Sequence, residues 1–195
     1  MKLHVIYIPG IGDDRTGLQE KIIRTWRLWG VEPELWSMDW ADDRSWKSKF
    51  KLLLGRIDDL AAAGQKVALV GASAGGSAVI NTYAARQDKI SGIVCIAGKV
   101  NNPETIGQRY RRRNRSFVES ADQCADSLKL LNEARRKRIS SRYGIFDELV
   151  PKKDSRIPGA HNRVVLSAGH GINIATQIIF GAPFFIRFLK NQAKH

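Results

Sequence analysis

One short stretch of this 195-residue sequence has residue types and spacing suited to nucleophilic chemistry: Val67-Ala68-Leu69-Val70-Gly71-Ala72-Ser73-Ala74-Gly75-Gly76. It holds Gly-x-Ser-x-Gly directly after an apolar run and directly before a small-residue helical run. A hydroxyl on so sharp a strand-to-helix turn needs strained backbone angles. It also needs small neighbours, because side chains at Gly71 and Gly75 would strike the adjoining strand and helix. In return the hydroxyl sits at a helix N-terminus, where backbone N–H groups and the dipole favour a developing negative charge. The rival reading is a turn that binds phosphate. A P-loop is excluded, since no Gly-Lys-Ser/Thr follows. Of the two cysteines, Cys95 lies in the apolar run Ile93-Val94-Cys95-Ile96 and is expected to pack as a small hydrophobe. Two cysteines make no disulfide scaffold, and without a metal-spaced pair there is no case for zinc.

Such a turn needs a sheet to hold it. Apolar, β-branched-rich runs predict strands at Leu3 to Ile8, Glu34 to Trp40, Val67 to Val70, Ile90 to Ala97 and Val164 to Ser167, with a shorter one at Ser141 to Phe146. Leu18, Ile22, Ile23, Trp26 and Trp29 recur at helical steps and are expected on one face, with Thr16 and Gln19 as a capping box. Helices are predicted from Ser45 to Ala63, stopped by Gly64, from Gly75 to Arg86, and from about Ile172 to Asn191. Alternating strands and helices imply right-handed crossovers and an open parallel sheet covered on both faces. In such sheets the chemistry belongs in the turns after the strands. Residues 101–140 break the alternation and predict a basic helical insertion, with Ala121, Cys124, Ala125, Leu128 and Leu131 at helical spacing.

With the serine turn in this setting, the chain resembles the α/β-hydrolase superfamily, and among its members the compact serine esterases. The resemblance implies a single domain over 1–195, an α/β three-layer sandwich with a mostly parallel sheet of about six strands. It also implies the order serine, acid, histidine. Tyr143-Gly144-Ile145-Phe146-Asp147-Glu148-Leu149-Val150-Pro151 then supplies Asp147 as the acid, followed by the Val-Pro that often trails it in the family; Glu148 and Asp154 are the fallbacks. Ser167-Ala168-Gly169-His170-Gly171 supplies His170 after the final strand. His161 precedes that strand, His4 begins the first, and His195 ends the chain, so none of the three is placed to help. Ile8-Pro9-Gly10-Ile11-Gly12-Asp13 is similar to the family's His-Gly-x-Gly segment, with Pro9 in place of its histidine. By that match the oxyanion hole takes the N–H groups of Ile11 and Ala74. Ala72 departs from the larger residue common at its position, and the first strand corresponds to the family's third.

The resemblance implies a hydrolase that cleaves carboxylic esters through a Ser73-His170-Asp147 triad and an acyl-enzyme, requiring no cofactor. A histidine base needs its neutral form, so the rate should rise with pH through about 6 to 7. Acyl thioesters are the alternative substrate; a non-catalytic binding protein on the same scaffold is the alternative of another class.

Composition narrows the partners. With 43% apolar and 26% charged residues the chain is an ordinary globular one, excluding a disordered or collagen-like chain. Lys plus Arg number 32 against 19 Asp plus Glu, a net charge of +13 that favours anionic partners. The arginines at 109, 111, 112, 113 and 115 fall where the family often inserts a lid, and they could attract an anionic or lipid-like acyl substrate. No nucleic-acid-binding motif accompanies them. The segment Ile172 to Leu189 is apolar but interrupted by Asn173, Gln177, Pro183 and Arg187. It is expected to pack on the sheet rather than span a bilayer, with peripheral membrane contact through Arg187, Lys190 and Lys194 as the alternative. The N-terminus lacks a secretory pattern, giving a cytoplasmic expectation. Oligomeric state is left open.

Overall fold

The structure, a computed structural model, describes residues 2–13 and 16–194. Six strands form one sheet: β1 Leu3–Ile8, β2 Val31–Leu35, β3 Val67–Ala72, β4 Ile90–Ile96, β5 Ile139–Phe146 and β6 His161–Ala168. Their order is β2-β1-β3-β4-β5-β6, and every pairing is parallel. The order reverses between β1 and β3, and the crevice beyond their carboxyl ends is where such sheets hold ligands.

β1 and β3 are buried along their whole length, which explains apolar runs without alternation. Successive residues feed two cores. Ile6, Ile8, Leu69 and Cys95 face α2 (Trp46–Ala62), α3 (Ala74–Ala85) and α5 (Arg115–Lys129). Val5, Tyr7, Val70 and Val94 face α1 (Gly17–Arg24), the 3-10 turn Thr25–Trp29 and the C-terminal helical segment. That segment is α8 (His170–Thr176), a π-turn at Gln177–Gly181 and α9 (Ala182–Gln192). The shorter helices are α4 (Gln108–Arg113), α6 (Glu133–Arg136) and α7 (Lys152–Ser155). Within 101–138 lie α4, α5 and α6, with α5 packed on α3, while Ile139 and Ser140 already belong to β5. Ala125 is exposed, however, and Phe117 and Ser120 join the buried face instead.

Three local expectations fail. The second strand is Val31–Leu35, not Glu34 to Trp40. Gly30, at φ 74°, ends the 3-10 turn and starts the strand early. Past Leu35 the N–H groups of Met38 and Trp40 donate to the Asp13 carboxylate, so the chain leaves the sheet. The α1 face is also narrower than its spacing suggested. Ile23 and Trp26 are buried, whereas Leu18 and Trp29 are exposed; the helix tightens to 3-10 geometry after Arg24, which turns Trp29 off the buried stripe. Thr16 makes no side-chain cap, and Gln19 instead accepts a hydrogen bond from the Tyr7 hydroxyl.

Candidate active site

Ser73 joins β3 to α3 at φ 52°, ψ −116°, a backbone conformation that side chains rarely adopt. Neighbouring strands hold it there. Its N–H donates to Ile96 O at 2.9 Å, and its carbonyl accepts from the N–H of Gly76 at 2.9 Å and of Lys99 at 3.1 Å. The flanking glycines are required by space. A Cβ at Gly71 would run into the Gly75 carbonyl, and one at Gly75 into the Ile8 carbonyl. A Cβ at Gly10 would stand 2.8 Å from that of Ser73, so the loop after β1 rests against the nucleophile candidate.

His170 opens α8, just after Gly169 at φ 94°. Its Nδ1 lies 2.8 Å from Asp147 Oδ2 and 3.0 Å from Oδ1. The Asp147 side chain is 1% exposed, and its Oδ1 also accepts the N–H groups of Leu149 and Val150 at 3.0 and 2.8 Å. Those bonds aim the carboxylate at the imidazole. An Nδ1–H that donates to it leaves Nε2 unprotonated and able to accept a proton.

The fallback acids are engaged elsewhere. Glu148 accepts the backbone N–H of His170 at 3.0 Å, not the ring. Asp154 is buried against Lys99 Nζ at 2.5 Å and Asn102 Nδ2 at 2.5 Å. His161 stacks edge-on against Phe188, and His4 Nε2 meets Glu34 at 2.6 Å. His195 lies outside the described residues.

Ser73 and His170 line one cavity of about 310 Å³, together with Gly10, Ile11, Tyr7 and Tyr110. Among the described residues no hydrogen bond joins the serine hydroxyl to the imidazole; such contacts are often long before substrate binds. The backbone N–H groups of Ile11 and Ala74 donate to no protein group among the described residues. Ala74 is the first residue of α3, where helix N–H groups have no intrahelical acceptor.

Sequence reasoning missed two supports. Asp13 ties the loop after β1 to Met38 and Trp40, while the Trp40 indole N–H donates to Pro9 O at 3.0 Å. Lys99, with Thr105 beside it at 2.5 Å, lines the cavity and clamps segment 99–105 to Asp154. A lysine just after a strand end was the only signal for the second; nothing in the spacing marked Asp13. No group of three or more His, Cys, Asp or Glu suited to a metal ion occurs among the described residues. Burial pushes the Cys95 thiol up to about 12 and that of Cys124 well above its ordinary range, so neither competes as a nucleophile.

No family model matches this chain, and no curated protein does. Solved structures do match. A carboxylesterase structure from the ammonia-oxidizing thaumarchaeon Nitrososphaera gargenis aligns at a TM-score of 0.72 and 14% identity, covering 99% of this chain and 92% of that one. Est1E from Butyrivibrio proteoclasticus aligns at 0.70 and 16%, covering 100% and 89%. A monoacylglycerol lipase from Paleococcus ferrophilus aligns at 0.65 and 15%, covering 97% and 94%. With its six-stranded parallel sheet, its serine turn and these full-length alignments, the chain has the α/β-hydrolase fold.

Proposed function

We propose that this protein is a serine hydrolase that cleaves carboxylic esters. The observation that carries the reading is the meeting of a strained Ser73 and an Asp147-paired His170 on one cavity. The names of the structural neighbours, carboxylesterases and a lipase, favour esters among acyl substrates.

In the proposed reaction His170 Nε2 takes the Ser73 proton as Oγ bonds to the ester carbonyl carbon. The tetrahedral oxyanion accepts hydrogen bonds from the N–H groups of Ile11 and Ala74, each worth about 3 kcal/mol of barrier. The C–O bond to the alcohol breaks, and the alkoxide leaves with the proton from His170. Water, deprotonated by the same nitrogen, then attacks the acyl-enzyme and releases the carboxylic acid and free Ser73. Asp147 holds the imidazole in the required tautomer throughout. Segment 105–110 supplies Thr105, Ile106 and Tyr110 to the cavity wall and is proposed as its lid.

A fluorophosphonate probe tests the reading. The expected result is labelling of Ser73 in the folded protein, lost in Ser73→Ala, together with hydrolysis of p-nitrophenyl acetate. A folded protein that takes no label and turns over no ester is a binding module instead.

A further inference from the structure

The segment His170–Gln192 is long and apolar enough to cross a membrane, yet it is fixed to the sheet. Ile178, Ala182, Phe185, Ile186 and Leu189 are buried in the second core. The Trp26 indole N–H donates to Ile178 O at 3.0 Å, using a carbonyl inside the π-turn. A helix held this way along one side cannot span a bilayer without unfolding the sheet's cover. Its other side is unusual for a surface helix. Phe180 is 72% exposed, Phe184 69% and Ile172 64%, with Ile179 between them. The same layer also exposes Leu18, Leu28 and Trp29. Phe180 and Phe184 stand four residues apart on one helical segment, a pair of exposed aromatics suited to docking on an apolar partner.

Charge selects the occupant. Arg187 and Lys190 lie exposed on α9, Lys194 follows it, and Lys21 is exposed on α1. Arg187 enters no ion pair among the described residues, and Glu20 and Glu32 are taken up by Arg24 and Arg27; Glu148, near Ile172 at the far end of the segment, is held by the backbone N–H of His170. Aromatic side chains flanked by cations that enter no ion pair among the described residues, on a chain of net charge +13, fit an anionic lipid surface better than a second, equally basic copy. We propose that this face docks in the plane of an anionic membrane, with Phe180 and Phe184 inserted among the acyl chains. α8 also carries Gly171 and Ile174 of the cavity wall, so docking would bring the cavity's mouth close to the lipid surface.

The test is co-sedimentation with vesicles of phosphatidylcholine alone, and of phosphatidylcholine mixed with phosphatidylglycerol. Expected is binding to the mixed vesicles that weakens at high salt, weak binding to neutral ones, and a loss of about tenfold in partitioning for Phe180→Ser/Phe184→Ser. Both sites are exposed and outside the cavity, so that variant should keep its melting temperature. Ser73→Ala should bind like the parent protein, which separates this inference from the esterase reading. Equal binding by the double variant overturns the proposal. So does a parent protein that ignores mixed vesicles but forms dimers, lost in the double variant, by analytical ultracentrifugation.

Discussion

Asp147 has its work divided between two sets of donors, and that division decides what its loss should do. Two backbone N–H groups fix the carboxylate and one imidazole nitrogen uses it. Asp147→Asn keeps the shape but offers an amide where the Nδ1–H needs an acceptor, so the ring is held in the wrong tautomer. The expected result is a fall of about ten-thousand-fold in kcat on p-nitrophenyl acetate with KM little changed, read from steady-state kinetics. The thiols make a contrasting case. Burial holds the Cys95 thiol near about 12, so it is protonated at any working pH, and Cys124 is fully enclosed as well. A thiol reagent at mildly alkaline pH should therefore find no reactive cysteine in the native protein and two after denaturation. One equivalent titrated natively would contradict that burial.

Elements carry the site through a few long-range bonds, and two of these can be measured. Trp26 joins the α1 layer to the π-turn through Ile178 O. Trp26→Phe keeps most of the apolar contact and leaves that carbonyl without its donor, so thermal melts should report a loss of about 1 to 2 kcal/mol. Lys99→Met strands the Asp154 carboxylate, 1% exposed, without its cation and should cost about 3 kcal/mol or more by urea unfolding. How far the elements were legible follows the same physics. Ser73, Asp147 and His170 could be assigned to strand ends because each lies within two residues of one, and β1, β3 and β4 announced themselves as mainly apolar runs. β2 could not be bounded, because its end is set by Asp13 drawing off two backbone donors more than twenty residues away in sequence. The capping pair Thr16 and Gln19 misled for a similar reason: Gln19 turns to the Tyr7 hydroxyl, a partner that only the folded sheet provides. The π-turn left no periodic trace, since a single added residue shifts the stripe without changing its composition.

At the scale of the whole molecule, one polar cluster fastens the β2 edge of the sheet to α2. Burial alone would raise the Glu34 carboxyl, but hydrogen bonds from His4 and Arg56 outweigh it and hold it down at about 2. A carboxyl depressed on folding adds stability above its unfolded value and loses it as acid protonates it. The melting temperature should therefore drop as pH falls from about 4.5 towards about 2, and Glu34→Gln should flatten that part of the curve in calorimetric scans. The glycines around Ser73 act over a similar span. Gly10, Gly71, Gly75 and Gly76 let the loop after β1, β3, α3 and the turn after β4 meet in close contact, where even one methyl group has no room. The loop that carries Ile11 and the turn that carries Ser73 are thus one rigid part, whereas Thr105, Ile106 and Tyr110 reach the cavity on a separate stretch of chain. If the proposed esterase reading holds, mutational libraries that vary those three and spare the glycines would retool which molecules the cavity accepts while inheriting the Ser73 turn intact, so new selectivity would be open to this scaffold without re-inventing its frame.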